Sequence, residues 1–253
     1  MNANANDISF SIKLADTVWK IEPLYGFIKD YCKEYITAEE ALHTIKISEK
    51  DIAFERERSD KEAYLSGGTV AEYSDEYLET LAVYRKIAEK APMLDTVLFH
   101  GSVIAVDGCG YLFTAKSGTG KSTHTRLWRE LFGERAIMIN DDKPLLRVSN
   151  SGVEAYGTPW NGKHRLSTNL SVPLKAICII TRSEENIIRG IASKDGYHMI
   201  LQQMYRPMDK SAMVQTLKLA DKLVENVKLY RLGCNMEIEA AEVAFNGMNG
   251  GIL

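Results

Sequence analysis

The chain has 253 residues, 45% of them hydrophobic and 26% charged, with a formal net charge of -3. That length suffices for a sizeable hydrophobic core, and the composition excludes collagen-like, low-complexity and wholly disordered chains. No long uncharged apolar run occurs, and MNANANDISF has no basic segment leading into an apolar one, so the sequence predicts a cytoplasmic protein without a membrane span or a secretory signal. Cys32, Cys109, Cys178 and Cys234 are widely spaced and form no CxxC pair, which predicts reduced, mostly buried thiols and no structural zinc. Charge is unevenly divided. Residues 1–95 hold 12 Lys+Arg against 19 Asp+Glu, which leaves 19 against 15 for the remainder. An anionic ligand is therefore expected in the back half, whose excess is too small and too scattered for nucleic acid.

FSIKLADTVWKI, from Phe10, alternates like a strand, and GFIKDYCKEYI, from Gly26, has helical spacing. HTIKISEKDIAFERE reads as one or two strands. A helix follows from about Ser74 to Ala91, with Ser74 as N-cap, Tyr77, Leu81, Tyr84 and Ala88 on one face, and Pro92 as the stop. Gly67-Gly68 marks a loop before it. TVLFHGSVIAV reads as a buried strand, Asp107 to Gly110 as a tight hairpin turn, and YLFTA as the returning strand. Further strands are expected at AIMIN, PLLRV, KAICIITR and VKLYRL. Helices are expected after Lys121, around Tyr197–Met204 and Ser211–Asn226, and at the C-terminus. This alternation predicts a mixed α/β sheet. Residues 1–95 form an acidic N-terminal α/β region that extends the same sheet, and residues 96–253 form a nucleotide-binding core.

The informative segment is Ala115-Lys116-Ser117-Gly118-Thr119-Gly120-Lys121-Ser122, which fits the phosphate-loop pattern GxxxxGK[ST] except that Ala115 replaces the first glycine. Gly118 and Gly120 permit the tight turn that aims backbone N–H groups at phosphate oxygens. Lys121 supplies a point charge, Ser122 a hydroxyl for Mg²⁺, and the helix that starts here directs its dipole at the same anion. Ser117, Gly118, Thr119, Gly120, Lys121, Ser122 and Thr123 are the nucleotide-binding candidates. About 20 residues on, AIMIN ends in Asp141-Asp142. One carboxylate of such a pair holds the metal and the other accepts a proton from the attacking hydroxyl.

FHGSVIAVDGCGYLFTAKSGTGKST and IMINDDKPLL together resemble the HPr kinase/phosphorylase and phosphoenolpyruvate carboxykinase superfamily, more closely on the HPr kinase side. The resemblance covers residues 95–180. It implies a mixed-sheet P-loop core of that type and transfer of a phosphoryl group from ATP, with Mg²⁺, to a serine hydroxyl. It implies that Lys121 and Ser122 serve phosphates and metal, that Asp141 is the catalytic base with Asp142 nearer the metal, and that His100 is the active-site histidine. Which aspartate does which is open on the residues alone. Thr123 stands where HPr kinases carry an acid, a carboxykinase-like detail, and GTPWNGKHRLSTNLSVPLKAI replaces the second HPr kinase signature. Members of that family form hexamers, so a homo-oligomer is left open here.

Further candidates are Lys163 and Arg165, to neutralise the transferred phosphoryl or orient the acceptor, and Arg206, as a transition-state cation. Lys143 balances the aspartates, and Trp160 either stacks on a base or packs. The expected function is ATP-dependent transfer of the γ-phosphoryl to a Ser/Thr hydroxyl of a protein or peptide. A small-metabolite hydroxyl kinase, a carboxykinase-like enzyme and a non-catalytic nucleotide-binding module are the alternatives.

Overall fold

A computed structural model of the chain describes residues 8–116 and 118–250. The chain divides into two compact units, one up to Ala88 and one from Glu89.

In the first unit, β1 (Phe10–Leu14) and β2 (Thr17–Glu22) form an antiparallel hairpin whose turn residues, Ala15 and Asp16, have φ of 46° and 58°. After a single turn, α1 (Phe27–Tyr31), strand β3 (His43–Lys46) pairs parallel to β2. The three strands close a sheet of their own rather than adding to the sheet of the second unit, as the sequence had suggested. The stretch after Ile47 departs further from expectation. Only His43–Lys46 is a strand, and Glu49–Ser66 is helix α2. Ser48 and Asp51 make a capping box there, with the Ser48 N–H donating to Asp51 Oδ2 at 2.9 Å. Gly67, at φ +68°, ends the helix in the left-handed conformation that glycine adopts without strain.

Helix α3 (Asp75–Lys90) starts at Ser74 as expected, the Tyr77 N–H donating to its Oγ at 3.3 Å. Its buried face is rotated from the expected one. Leu78, Ala82, Val83 and Ile87 are buried with Tyr84 and Ala88, whereas Tyr77 and Leu81 are partly exposed. Glu79 explains the rotation. Its fully buried carboxylate accepts N–H groups from Leu24 and Tyr25, and burial raises its pKa against those two bonds. Arg85 joins α3 to α2 by pairing with Glu55, itself 3% exposed, and with Asp51 at 3.3 Å. Arg85→Met would leave the buried Glu55 carboxylate only the exposed Arg58 guanidinium, 3.8 Å away. It is expected to destabilise the protein by about 3 kcal/mol, read as the shift of the urea unfolding free energy.

The second unit contains β4 (Thr96–Leu98), β5 (Ser102–Val106), β6 (Cys109–Thr114), α4 (Lys121–Phe132), β7 (Ala136–Asn140), β8 (Leu145–Ser149) and β9 (Gly152–Tyr156). It continues through β10 (Ser171–Arg182), β11 (Ile187–Ile191), α5 (Ser193–Gln203), α6 (Lys210–Asn226), β12 (Lys228–Cys234) and α7 (Glu239–Met248). All nine strands belong to one curled mixed sheet. The twelve residues of β10 make this possible. Its first part pairs antiparallel with β9 in a β4-β8-β9 ribbon, and its later part lies parallel between β6 and β12. Beyond β6 come β5 and β7, both antiparallel to their neighbours.

The two-residue side-chain period sorts the core. Leu112 and Ile177 join Leu146, Ala155, Ile200, Leu219 and Leu223 in one buried cluster with α5 and α6. Tyr111, Phe113, Ala176 and Cys178 join Trp128, Met138, Leu232 and Ala244 in the other, with α4 and α7. Cys32, Cys178 and Cys234 are buried free thiols, and burial pushes the Cys234 pKa up to about 11. Among the described residues, no helix is long and apolar enough to cross a membrane.

Two refinements bear on the site. TVLFHGSVIAV is not continuous but breaks at Phe99–Gly101, where Phe99 bridges to Met204 and a Cβ on Gly101 would lie 3.0 Å from Leu112 Cδ2 and from the Phe113 carbonyl. The β5–β6 turn is the two-residue Asp107-Gly108, at φ 51° and 77°, the mirror-image geometry that hairpins favour.

His124, in the first turns of α4, is 2% exposed and lies edge-on to Phe113. Its Nε2 accepts the Trp128 indole N–H at 3.1 Å, so the neutral ring carries its proton on Nδ1, which has no hydrogen-bond partner among the described residues. Burial lowers its pKa to about 4. The folded protein therefore binds this proton less readily than the unfolded chain. The resulting stability is complete above the ordinary value of 6.5 and is lost as pH falls towards 4. Chemical denaturation across that range is expected to show about 3 kcal/mol more acid sensitivity in the wild type than in His124→Gln, whose amide oxygen can still accept from Trp128.

Candidate active site

Three strand ends meet at one edge of the sheet. Antiparallel pairing sets Ser102, at the start of β5, beside Phe113 near the end of β6, and sets Asn140, at the end of β7, beside Val103. His100 precedes β5, the glycine-rich loop follows β6, and Asp141-Asp142 follow β7. Residues distant in sequence thus come together because β5 makes one ladder with β6 and another with β7.

The loop runs from Ala115 into α4, which begins at Lys121. Gly118 and Gly120 have φ of 75° and 126°, so both use backbone space largely closed to other residues. The Thr119 N–H donates to the Lys116 carbonyl at 3.2 Å and tightens the turn. Lys121 Nζ lies 3.4 Å from the Ala115 carbonyl. Burial lowers the Lys121 pKa, while Asp142 and Asp141 pull it back up. Thr123 is half-buried in the first turn of α4, and Ser117 lies outside the described residues.

The two aspartates occupy different environments. Asp141 is 4% exposed and accepts hydrogen bonds from Ser102 Oγ, at 3.0 Å, and from the Ser122 hydroxyl. Among the described residues it forms no ion pair, and burial raises its pKa despite these bonds and the nearby charge of His164. Asp142 is already supplied with positive charge. His100 Nε2 lies 3.4 Å from its Oδ1, and Lys143 Nζ donates to its Oδ2. Burial would raise the Asp142 pKa, but His100 and Lys143 outweigh it and hold the carboxyl well below the usual range.

Asn140 builds the step between the two acids. Its buried amide donates to the carbonyl and hydroxyl of Thr158 at 3.0 Å, and its Oδ1 accepts the Asp142 N–H at 2.9 Å and the Lys143 N–H at 2.6 Å. The 157–168 segment folds back over the pair, with the Asp141 N–H bonded to the Leu166 carbonyl. A Cβ on Gly157 would lie 1.9 Å from the Thr168 carbonyl, and one on Gly162 would lie 3.0 Å from Asp142 Cβ. Lys163, His164 and Arg165 are exposed on this segment, and Arg165 has φ +50°. Trp160 is buried, the packing alternative.

His100 is held from two sides. Its Nδ1 lies 3.1 Å from Gln203 Oε1, and its N–H donates to the Gln203 carbonyl at 2.8 Å. The same segment continues through Tyr205, whose N–H reaches the Leu98 carbonyl, and is tied to Glu89 by the Tyr205 hydroxyl at 2.6 Å. Arg206 lies just beyond it. It is exposed and makes no hydrogen bond or ion pair among the described residues. Sequence reasoning missed two polar residues here. Gln203 contacts His100, and Arg182, at the end of β10, donates to the loop carbonyls of Gly118 at 2.6 Å and Thr119 at 3.3 Å. Neither lies in a local motif.

The donors that could hold a cation are hard oxygens, the Ser122 hydroxyl and the Asp141 carboxylate, which suit Mg²⁺ completed by phosphate and water oxygens. Among the described residues, no group of three or more His, Cys, Asp or Glu forms an all-protein metal cage.

The solved structure of the Hpr(Ser) kinase/phosphatase from Coxiella burnetii matches at 9% sequence identity and a TM-score of 0.37, covering 60% of this chain and 97% of that one. None of the curated proteins matches the sequence. Residues 70–241, well over half the chain, match the model of the family described as SynChlorMet cassette protein ScmC, and the chain belongs to that family.

Proposed function

We propose that the second unit is an ATP-dependent phosphotransferase with an HPr kinase-like core, which moves the γ-phosphoryl group to a hydroxyl, Ser or Thr of a protein or peptide. The observation that carries this reading is the convergence of a lysine-bearing phosphate loop with one buried carboxylate that forms no ion pair among the described residues and a second that is paired with its own lysine. Lys121 and the loop N–H groups bind the phosphate tail. Ser122 and Asp141 hold Mg²⁺, which when bound neutralises charge on the phosphates and orients them. Asp141 takes this role because it is the buried carboxylate short of positive charge.

Asp142 is then the base, the reverse of the order carried by the sequence resemblance. With its pKa held so low, its carboxylate is ionised at neutral pH but only weakly basic, so it orients the acceptor hydroxyl and takes the proton late, as the acceptor oxygen closes on phosphorus in a loose transition state. Gln203 orients His100 against it. Lys163 and Arg165 stand exposed on the segment that folds over the aspartates and are the candidates to meet an acceptor there.

The test is incubation of purified protein with γ-labelled ATP, Mg²⁺ and a library of Ser/Thr peptides. Label transferred to a peptide hydroxyl is the expected result. Binding of ATP with no transfer to any peptide or small hydroxyl compound would replace this reading with a nucleotide-binding module.

A further inference from the structure

We propose that Arg182 is a positioning residue that sets the peptide planes of the phosphate loop, and with them the aim of its backbone donors, from the end of β10. The inference rests on the phosphotransferase reading for the identity of the anion, but not for the geometry of the loop.

A trans peptide is planar, so its N–H points away from its C=O. Fixing the Gly118 carbonyl therefore fixes the direction of the Thr119 N–H. Fixing the Thr119 carbonyl fixes the Gly120 N–H. Arg182 holds both carbonyls, through Nη2 at 2.6 Å and Nε at 3.3 Å. The Thr119 N–H consequently turns back to Lys116, and the Gly120 N–H is left at the mouth of α4. Something must impose this arrangement. Gly118 and Gly120 both stand at positive φ with open space where a side chain would be, so neither is held by packing. A guanidinium matches the need, because its fork offers two donors at fixed separation to two consecutive carbonyls.

The anchor behind the guanidinium is firm. Arg182 pairs with Cys234 of β12, and Ile179, three residues earlier, pairs with Thr114 at the root of the loop. β10 thus runs parallel to β6 and continues past its end, which brings the side chain onto the loop. The outward carbonyls and the inward donor are consequences of one contact.

The experiment compares wild type, Arg182→Met and Arg182→Lys. It measures MgATP affinity by calorimetry, the ¹H–¹⁵N resonances of Thr119 and Gly120 without nucleotide, and thermal stability. Arg182→Met is expected to weaken MgATP binding about tenfold and to shift both resonances in the free protein, with a melting temperature changed by no more than a few degrees. Arg182→Lys should recover part of the affinity, since an ammonium serves one carbonyl at a time. Unchanged affinity in Arg182→Met would overturn the proposal. So would weaker binding with unmoved resonances, which would mean that Arg182 acts on the phosphates themselves. A wild type that bound no MgATP would overturn the phosphotransferase reading, while the free-state resonances would still decide whether Arg182 orders the loop.

Discussion

Asp142→Asn is expected to lower phosphoryl transfer by about 10²- to 10⁴-fold while changing MgATP affinity by less than about threefold. The substitution keeps the shape of the side chain and removes the proton acceptor. Lys143 remains to face it, so the local positive charge survives and nucleotide binding has no reason to fall. Asp141→Asn should behave differently. It removes a buried carboxylate that has hydroxyl partners but, among the described residues, no ion pair, so the variant should melt higher than wild type. It should also lose the Mg²⁺ dependence of nucleotide binding. Parallel single-turnover and calorimetric measurements on the two variants separate the roles. Equal loss of binding in both, or a catalytic defect confined to Asp141→Asn, would reverse the division of labour between them.

The second large effect is expected at Lys121. Its ammonium is partly buried and depressed in pKa by that burial, with the two aspartates offsetting only some of the cost. A phosphate oxygen would complete its compensation, and a charge that is under-satisfied before binding is well placed to favour a developing negative charge. Lys121→Met should therefore lower transfer by about 10³-fold and weaken MgATP as well, without loss of thermal stability, because a buried charge has been replaced by an apolar chain. Arg at this position should not restore activity, since its planar fork does not replace a compact point charge. Initial rates over a range of ATP concentrations, together with a melting curve, check all three statements.

The parts of the fold and site that were legible in the sequence are those encoded locally. The phosphate loop has fixed spacing between strand and helix, the Asp107-Gly108 hairpin has its own turn chemistry, and Asp141-Asp142 ends an apolar strand. What was not legible depends on pairing at a distance. Arg182 meets the loop across 63 and 64 residues of sequence, and Gln203 meets His100 across 103. No window of sequence contains either pair. Strand β11 was missed because its burial pattern includes only one buried residue, so it lacks the alternation that marks a half-buried strand. Helix α2 was read as strand because HTIKIS alternates up to the point where Ser48 and Asp51 cap the helix. The face of α3 was misjudged because Glu79 sits inside, serving two N–H groups that no periodicity reveals. The different surroundings of the two aspartates were hidden for a related reason. Their surroundings come from Ser102, Ser122 and His100, on other strand ends.

The position of β10 also governs how the molecule can be synthesised. Strand β6 receives this parallel neighbour only after the ribosome has passed Arg182, and β10 in turn stays uncovered on its other side until Cys234 has emerged. Such late, long-range closure makes for slow folding and leaves an apolar strand edge open to foreign chains in the interval. Fragments ending before β12 should aggregate, and in the nascent chain the glycine-rich loop after β6 will be among the last segments to acquire its final geometry.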